Sequence, residues 1–248
     1  MSIASTITHP PEPEIHPSHD VHEHPFYQKH HFETAEQQRE AASFGMWLFL
    51  LTEIMFFGGL FFAYLLYRNW YYDAFVSASN SISMPLGLIN TIVLISSSFT
   101  MAMGVWSAEV RNKKALQGWL MATILLGFVF LGIKSVEYTQ KFEEHHVPGA
   151  SFDISDFVHP KDAREKPLTV DMANRTQIYF SLYFAMTGVH ALHMIIGIAI
   201  LFVLLYKART GLYTTGYVQP IENFGLYWHF VDIVWIFLFP FLYLINRH

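Results

Sequence analysis

Five long apolar stretches divide this chain: Phe44–Tyr67, Pro85–Ser107, Ala115–Ile133 with a helical continuation to Tyr138, Ile178–Tyr206 and Leu226–Ile245. At 1.5 Å of rise per residue, each is long enough to cross a hydrocarbon layer of about 30 Å. Pro85 suits the first turn of its helix, where a missing N–H is no loss. The pattern predicts an all-α fold: a polytopic membrane protein built as a bundle of five transmembrane helices. Short loops orient it. Arg111, Lys113 and Lys114 follow the second stretch and Lys207 and Arg209 the fourth, against Arg68 and Arg247 on the other side. Loops rich in Lys and Arg stay inside, so the N terminus is expected to be cytoplasmic.

Two polar segments interrupt the pattern. Residues 1–33 are rich in Pro and His and lack the apolar run of a signal peptide. They read as a disordered cytoplasmic leader, although a His-rich metal-binding tract is the alternative. Thr34-Ala-Glu-Gln37 has the form of a capping box, so the first helix is expected to begin there, ahead of the apolar run. Residues 34–248 form the membrane domain. Its long outer loop, 140–174, carries Glu143-Glu-His-His146 and a charged stretch to Arg175. Loops of this length are usually functional or partner-bound, and this one is expected to be a docking surface.

Glu53 is the most informative single residue. It lies about 15 Å into the first apolar stretch, near the centre of the hydrocarbon layer. A carboxyl there costs at least ~2.5–3.5 kcal/mol on insertion scales, so it is protonated, paired or turned into the bundle. It reads either as a functional carboxyl or as hydrogen-bonded packing. His190 and His193 lie one turn apart on the fourth stretch, and His229 lies three residues before Asp232 on the fifth. Haem or metal ligation by these histidines is one reading. The plainer one is hydrogen bonding to Glu53, Asp232 or neighbouring carbonyls. Lys134 and Glu137, three apart, are expected to pair. Ser96-Ser-Ser-Phe-Thr100, Gly104, Gly118, Gly127 and Gly132 are expected to give the second and third helices faces for close packing.

Composition narrows the classes. Charged residues are 14 % of the chain, well below the ~25 % of soluble domains, and the few basic residues are scattered, so no nucleic-acid partner is expected. The chain has no cysteine, which excludes a disulfide, a thiolate metal site and c-type haem attachment.

In order along the chain, Phe44-Gly-Met, Leu51-Thr-Glu-Ile-Met-Phe-Phe57, Leu88-Ile-Asn-Thr91, Glu137-Tyr138, Thr187-Gly-Val-His-Ala-Leu-His-Met-Ile-Ile-Gly197 and Tyr227-Trp-His-Phe-Val-Asp-Ile-Val-Trp235 resemble subunit III of the haem–copper cytochrome oxidases. The resemblance runs from about Phe44 to the C terminus, apart from most of the outer loop. It implies an accessory, non-redox subunit of a proton-pumping terminal oxidase that passes electrons from cytochrome c to O2. Such a subunit has no catalytic residue, haem, copper or other metal; those centres belong to the partner subunits. Its partners are oxidase subunits I and II and membrane phospholipid, and it supports proton uptake and the stability of subunit I. Glu53 matches the family's carbodiimide-reactive glutamate. His190, His193, His229 and Asp232 fall in its buried polar motifs. His30, His31, Lys207 and Thr214 match positions around its bound phospholipid.

The chain departs from the seven-helix mitochondrial members and resembles the shorter bacterial form, which implies a multi-pass protein of the bacterial inner membrane. Lys207 stands where the family carries arginine. The longer outer loop implies contact with a cytochrome domain or a supercomplex partner. Three alternatives stay open: subunit III of a quinol oxidase, an independent His-ligated membrane metalloprotein, and a proton-coupled transporter built around Glu53. Against the last stands the lack of an inverted repeat or broken helix.

Overall fold

The structure, a computed structural model, describes residues 34–149, 151–160, 166–215 and 217–245. The leader, with His30 and His31, lies outside the described residues. Among the described residues, five helices are long and apolar enough to cross a membrane: α1 (Ala35–Trp70), α3 (Met84–Glu109), α4 (Lys113–Glu143), α6 (Val170–Thr210) and α7 (Gln219–Tyr243). Two short helices, α2 (Tyr72–Asn80) and α5 (Ser155–Val158), and a 3-10 turn, Leu212–Thr215, complete the chain.

Local chemistry sets the helix ends. The Thr34 hydroxyl accepts from the Gln37 N–H at 3.1 Å, which opens α1 where the capping pattern places it. Asn112 caps α4 through the Ala115 N–H, and Thr169 caps α6 through the Met172 N–H. Pro85 and Pro220 sit in the first turns of α3 and α7. Gly211 ends α6 with φ of 85°, a left-handed conformation that side-chain-bearing residues rarely adopt.

The helices extend well beyond their apolar centres. At 41 residues α6 is roughly 60 Å long, so its first turns, Val170 to Gln177, stand outside the apolar run. The helices thereby take over both ends of the loop, and residues 144–149, 151–160 and 166–169 form a small cap. His146 sits among the rings of Phe157, Phe180 and Phe152, with centroids 5.0, 5.2 and 6.0 Å away. Its Nδ1 lies 3.1 Å from Glu144. Leu168 donates its N–H to the Phe157 carbonyl and Gln177 its side-chain amide to the Gly149 carbonyl, tying the cap to the start of α6. Burial lowers the His146 pKa; Lys141 adds to this and Glu144 opposes it.

In the bundle, α3 packs on α4 and α7, α4 on α6, and α6 on α7. α7 is the central element: 61 % of its most apolar window is buried, against 17 % for α1. As at Gly87 and Gly225, helices approach closely at Gly197. A Cβ there would meet the Trp228 ring at 2.8 Å, and its absence lets α7 lie directly on α6. The expected small-residue face of α4 is only partly used: Gly127 meets Ile198, whereas Gly118 and Gly132 face open space. On α3, Ser97 accepts from the Trp228 indole N–H at 3.0 Å and Thr100 bonds Thr123 of α4 at 2.9 Å. Ser96 turns outward and donates to its own helix, at the Ile92 carbonyl.

Candidate functional site

α1 is fixed to its neighbours near both ends and through the buried Phe57, and a cleft opens along it. Near its start, Gln219 donates its side-chain amide to the Arg39 carbonyl at 2.6 Å, and Arg39 faces Glu222 at 3.9 Å. Toward its other end the buried Tyr64 hydroxyl donates to the Phe241 carbonyl, and its ring packs on Phe75 and Tyr179. Between these clips lies an apolar cleft of about 470 Å³, walled by Met46 and Phe49 of α1, Ile196 and Ile200 of α6, and Phe224 and Tyr227 of α7. Its volume is in the range of ligand pockets, roughly 300–1,000 Å³.

Two polar side chains meet in this cleft. Glu53 Oε2 lies 3.1 Å from His193 Nε2, with 18 % and 14 % of the side chains exposed. His193 Nδ1 lies 2.9 Å from the Val189 carbonyl one turn back. A carbonyl only accepts, so Nδ1 carries the hydrogen. Nε2 must then either accept from a protonated Glu53 or share an ion pair with its carboxylate. In both cases one proton sits between the two residues. Tyr227 steadies the arrangement by donating to the His193 carbonyl at 2.8 Å. Gly197 makes this reach possible, because a Cβ there would lie 3.2 Å from the Tyr227 ring.

The other intramembrane histidines go elsewhere. His190 is fully buried, its ring beside Phe130 and Trp235, and its Nε2 donates to the Val231 carbonyl at 3.1 Å. One turn on the same helix therefore separates a core packing residue from a cleft residue. His229 lies on α7 facing α3, with Nδ1 2.6 Å from the Ser98 hydroxyl, and Asp232 is buried beside it. The three histidines do not converge. Among the described residues no group of three or more His, Cys, Asp or Glu could hold a metal ion.

Lys207 is exposed at the end of α6, on the face that carries His193, Ile196 and Ile200. It stands four turns from His193, roughly 21 Å along the axis. Thr214 lies in the 3-10 turn that follows. The cleft thus has a basic residue at one end of its α6 wall and a proton-sharing pair farther in.

Sequence reasoning missed Tyr227 in the cleft and, elsewhere, the tyrosines around the Lys134–Glu137 pair. Tyr227 opens the last motif and reads there as an aromatic, with no sign that its hydroxyl reaches α6. The Lys134–Glu137 pair forms as expected, at 3.0 Å, but as the core of a buried network. The ammonium also donates to Tyr183 and Tyr243, each at 3.0 Å, and Tyr243 donates to the second Glu137 oxygen at 2.6 Å.

Comparison with known proteins identifies the family. A family profile described as cytochrome c oxidase subunit III matches residues 15–161 and 167–246. Relatives named cytochrome c oxidase subunit 3 include one from Thermostichus vulcanus, 30 % identical over 204 residues, 82 % of this chain and 87 % of the relative. One from Corynebacterium diphtheriae is 31 % identical over 211 residues, 82 % of this chain and 88 % of the relative. One from Gallus gallus is 31 % identical over 233 residues, 90 % of this chain and 76 % of the relative. With five membrane-crossing helices and a profile match along nearly its whole length, the chain belongs to the cytochrome c oxidase subunit III family, and so to a multi-subunit respiratory oxidase of the membrane.

Proposed function

We propose that this chain is the accessory, non-redox subunit of a proton-pumping haem–copper oxidase that reduces O2 with electrons from cytochrome c. It sits in a bacterial inner membrane beside subunits I and II and carries no haem or copper of its own. It sustains proton uptake by subunit I and protects that subunit during turnover. The observation that carries this reading is the Glu53–His193 pair, sharing one proton within an apolar cleft.

The cleft holds a phospholipid acyl chain. Its walls are apolar, and Lys207 stands about four turns from the pair, where a phosphate at the membrane surface would find a cation. Lipid packed between α1 and the bundle keeps this flank of the complex rigid and preserves the electrostatics at the neighbouring proton entrance. The outer loop, 140–174, is a docking surface for a cytochrome domain or a partner complex.

The test is selective removal of the chain from the purified oxidase. The stripped enzyme should retain its haem and copper and its initial O2 reduction, because the redox centres lie elsewhere. Proton uptake should slow, and fewer turnovers should precede inactivation. Haem or copper leaving with the chain, or a stripped enzyme with full proton-uptake rate and full turnover lifetime, would overturn the proposal.

A further inference from the structure

A second pocket of about 400 Å³ lies between α3 and α7, on a surface separate from the Glu53 cleft. At its base sits Asp232, only 3 % exposed, and neither carboxyl oxygen has a hydrogen-bond partner. The Ser98 hydroxyl is close by but engaged with His229 Nδ1 at 2.6 Å. Even if His229 donates to Ser98 and Ser98 turns its proton to Asp232, the second carboxyl oxygen is unserved. Burying such a group without a donor is unfavourable, because the water it gave up is not replaced.

Depth limits what can supply the donor. Asp232 lies six residues, about 9 Å, inside the apolar stretch Leu226–Ile245 of α7, within the hydrocarbon layer. Lipid headgroups sit at the edges of that layer, roughly 9 Å away along the helix at the nearer one. A single water fills about 30 Å³, a small part of the pocket, and the remaining walls are apolar. An occupant with an apolar stem and one donor fits both facts.

The rim has the shape of a seat for a helix. Ile95 and Phe99 of α3, 54 % and 61 % exposed, and Ile236 of α7, 46 % exposed, project along two adjacent helices on either side of the acid. We propose that this α3–α7 groove receives one transmembrane helix of another oxidase subunit, anchored by a hydrogen-bond-donating side chain that reaches Asp232. The inference rests on the reading of the chain as an oxidase subunit and adds which face meets the partner and through which residue.

The experiment places a photoreactive benzoylphenylalanine at Phe99 of the chain in the intact oxidase, illuminates native membranes and maps the adducts by mass spectrometry. The expected adduct is with a transmembrane segment of another subunit, within one turn of a Lys, Arg, Tyr, Trp, Ser or Thr. Adducts with lipid alone, or no adduct, in a chain that still co-purifies with the haem-bearing subunits would overturn the groove and leave the oxidase reading standing. Failure to co-purify with those subunits would overturn both. In parallel, Asp232→Leu should speed loss of the chain from the detergent-solubilised complex about tenfold or more, whereas Asp232→Asn, which keeps an acceptor oxygen, should stay near wild type. Wild-type retention of Asp232→Leu would also overturn the proposal.

Discussion

Replacing Glu137 by Gln should destabilise the bundle severely, and replacing Lys134 as well should restore most of the loss. The Lys134 ammonium has three protons and three acceptors, Glu137 Oε2, Tyr183 and Tyr243, each at 3.0 Å. The Tyr243 hydroxyl accepts from Lys134 and donates to Glu137 Oε1, so both carboxyl oxygens are served. The side chains are 3 % and 0 % exposed, and no solvent can take over if one partner goes. Glu137→Gln leaves a buried ammonium without its counter-charge, and Lys134→Met leaves the carboxylate; each should cost about 3–5 kcal/mol. Simple addition would put the pair at about 6–10 kcal/mol. The double variant instead removes both charges, and the new amide oxygen still accepts from Tyr243, so its cost should be about 1–2 kcal/mol. Equilibrium unfolding of the purified chain in bicelles measures all three. Trp235 is a local fluorescent reporter, because the Lys134 ammonium lies 5.2 Å from its ring. A double variant as unstable as the sum of the singles, or singles within about 1 kcal/mol of wild type, would refute the view that this network is a closed charge pair.

Gly197→Ala should destabilise by about 1–3 kcal/mol, because the new methyl meets the rigid Trp228 ring at 2.8 Å, while Gly118→Ala, with open space around it, should gain about 0.5–1 kcal/mol; equal effects in the same unfolding measurement would refute the close-approach argument. The cap that holds His146 should loosen as pH falls. With the folded-state pKa of His146 held below its unfolded value of about 6.5, the unfolded cap takes up the proton first, so stability is lost from about pH 6.5 downward through the lower folded value. The depressed pKa of exposed Asp153, caused by the Ser155 N–H, acts in the same direction at lower pH. Hydrogen exchange of residues 144–149 and 151–158 should be faster at pH 5.5 than at pH 7.5, and His146→Phe should reduce the difference; a wild-type cap that exchanges alike at both would show that burial of this histidine does not support it.

Much of this protein follows from the chain alone. The five spans depend only on apolar length, and the capping residue Thr34 and the pairing of Lys134 with Glu137 depend on neighbours three positions apart, so local sequence determines all of them. The depth of Glu53 is legible for the same reason, since helix rise converts residue count into distance. What the sequence does not determine is where side chains on different helices meet. His190 and His193 share a motif and a helix face by spacing, yet one is sealed against Val231 and the other meets Glu53, because the rotation of α6 against α1 and α7 decides it. Tyr227 becomes part of the cleft only through the close approach at Gly197. The loop after α4 becomes a cap because two rings of its own and one from α6 enclose His146. Contacts between helices depend on rotation, crossing angle and the absence of a Cβ at particular points, and only the tertiary structure decides those.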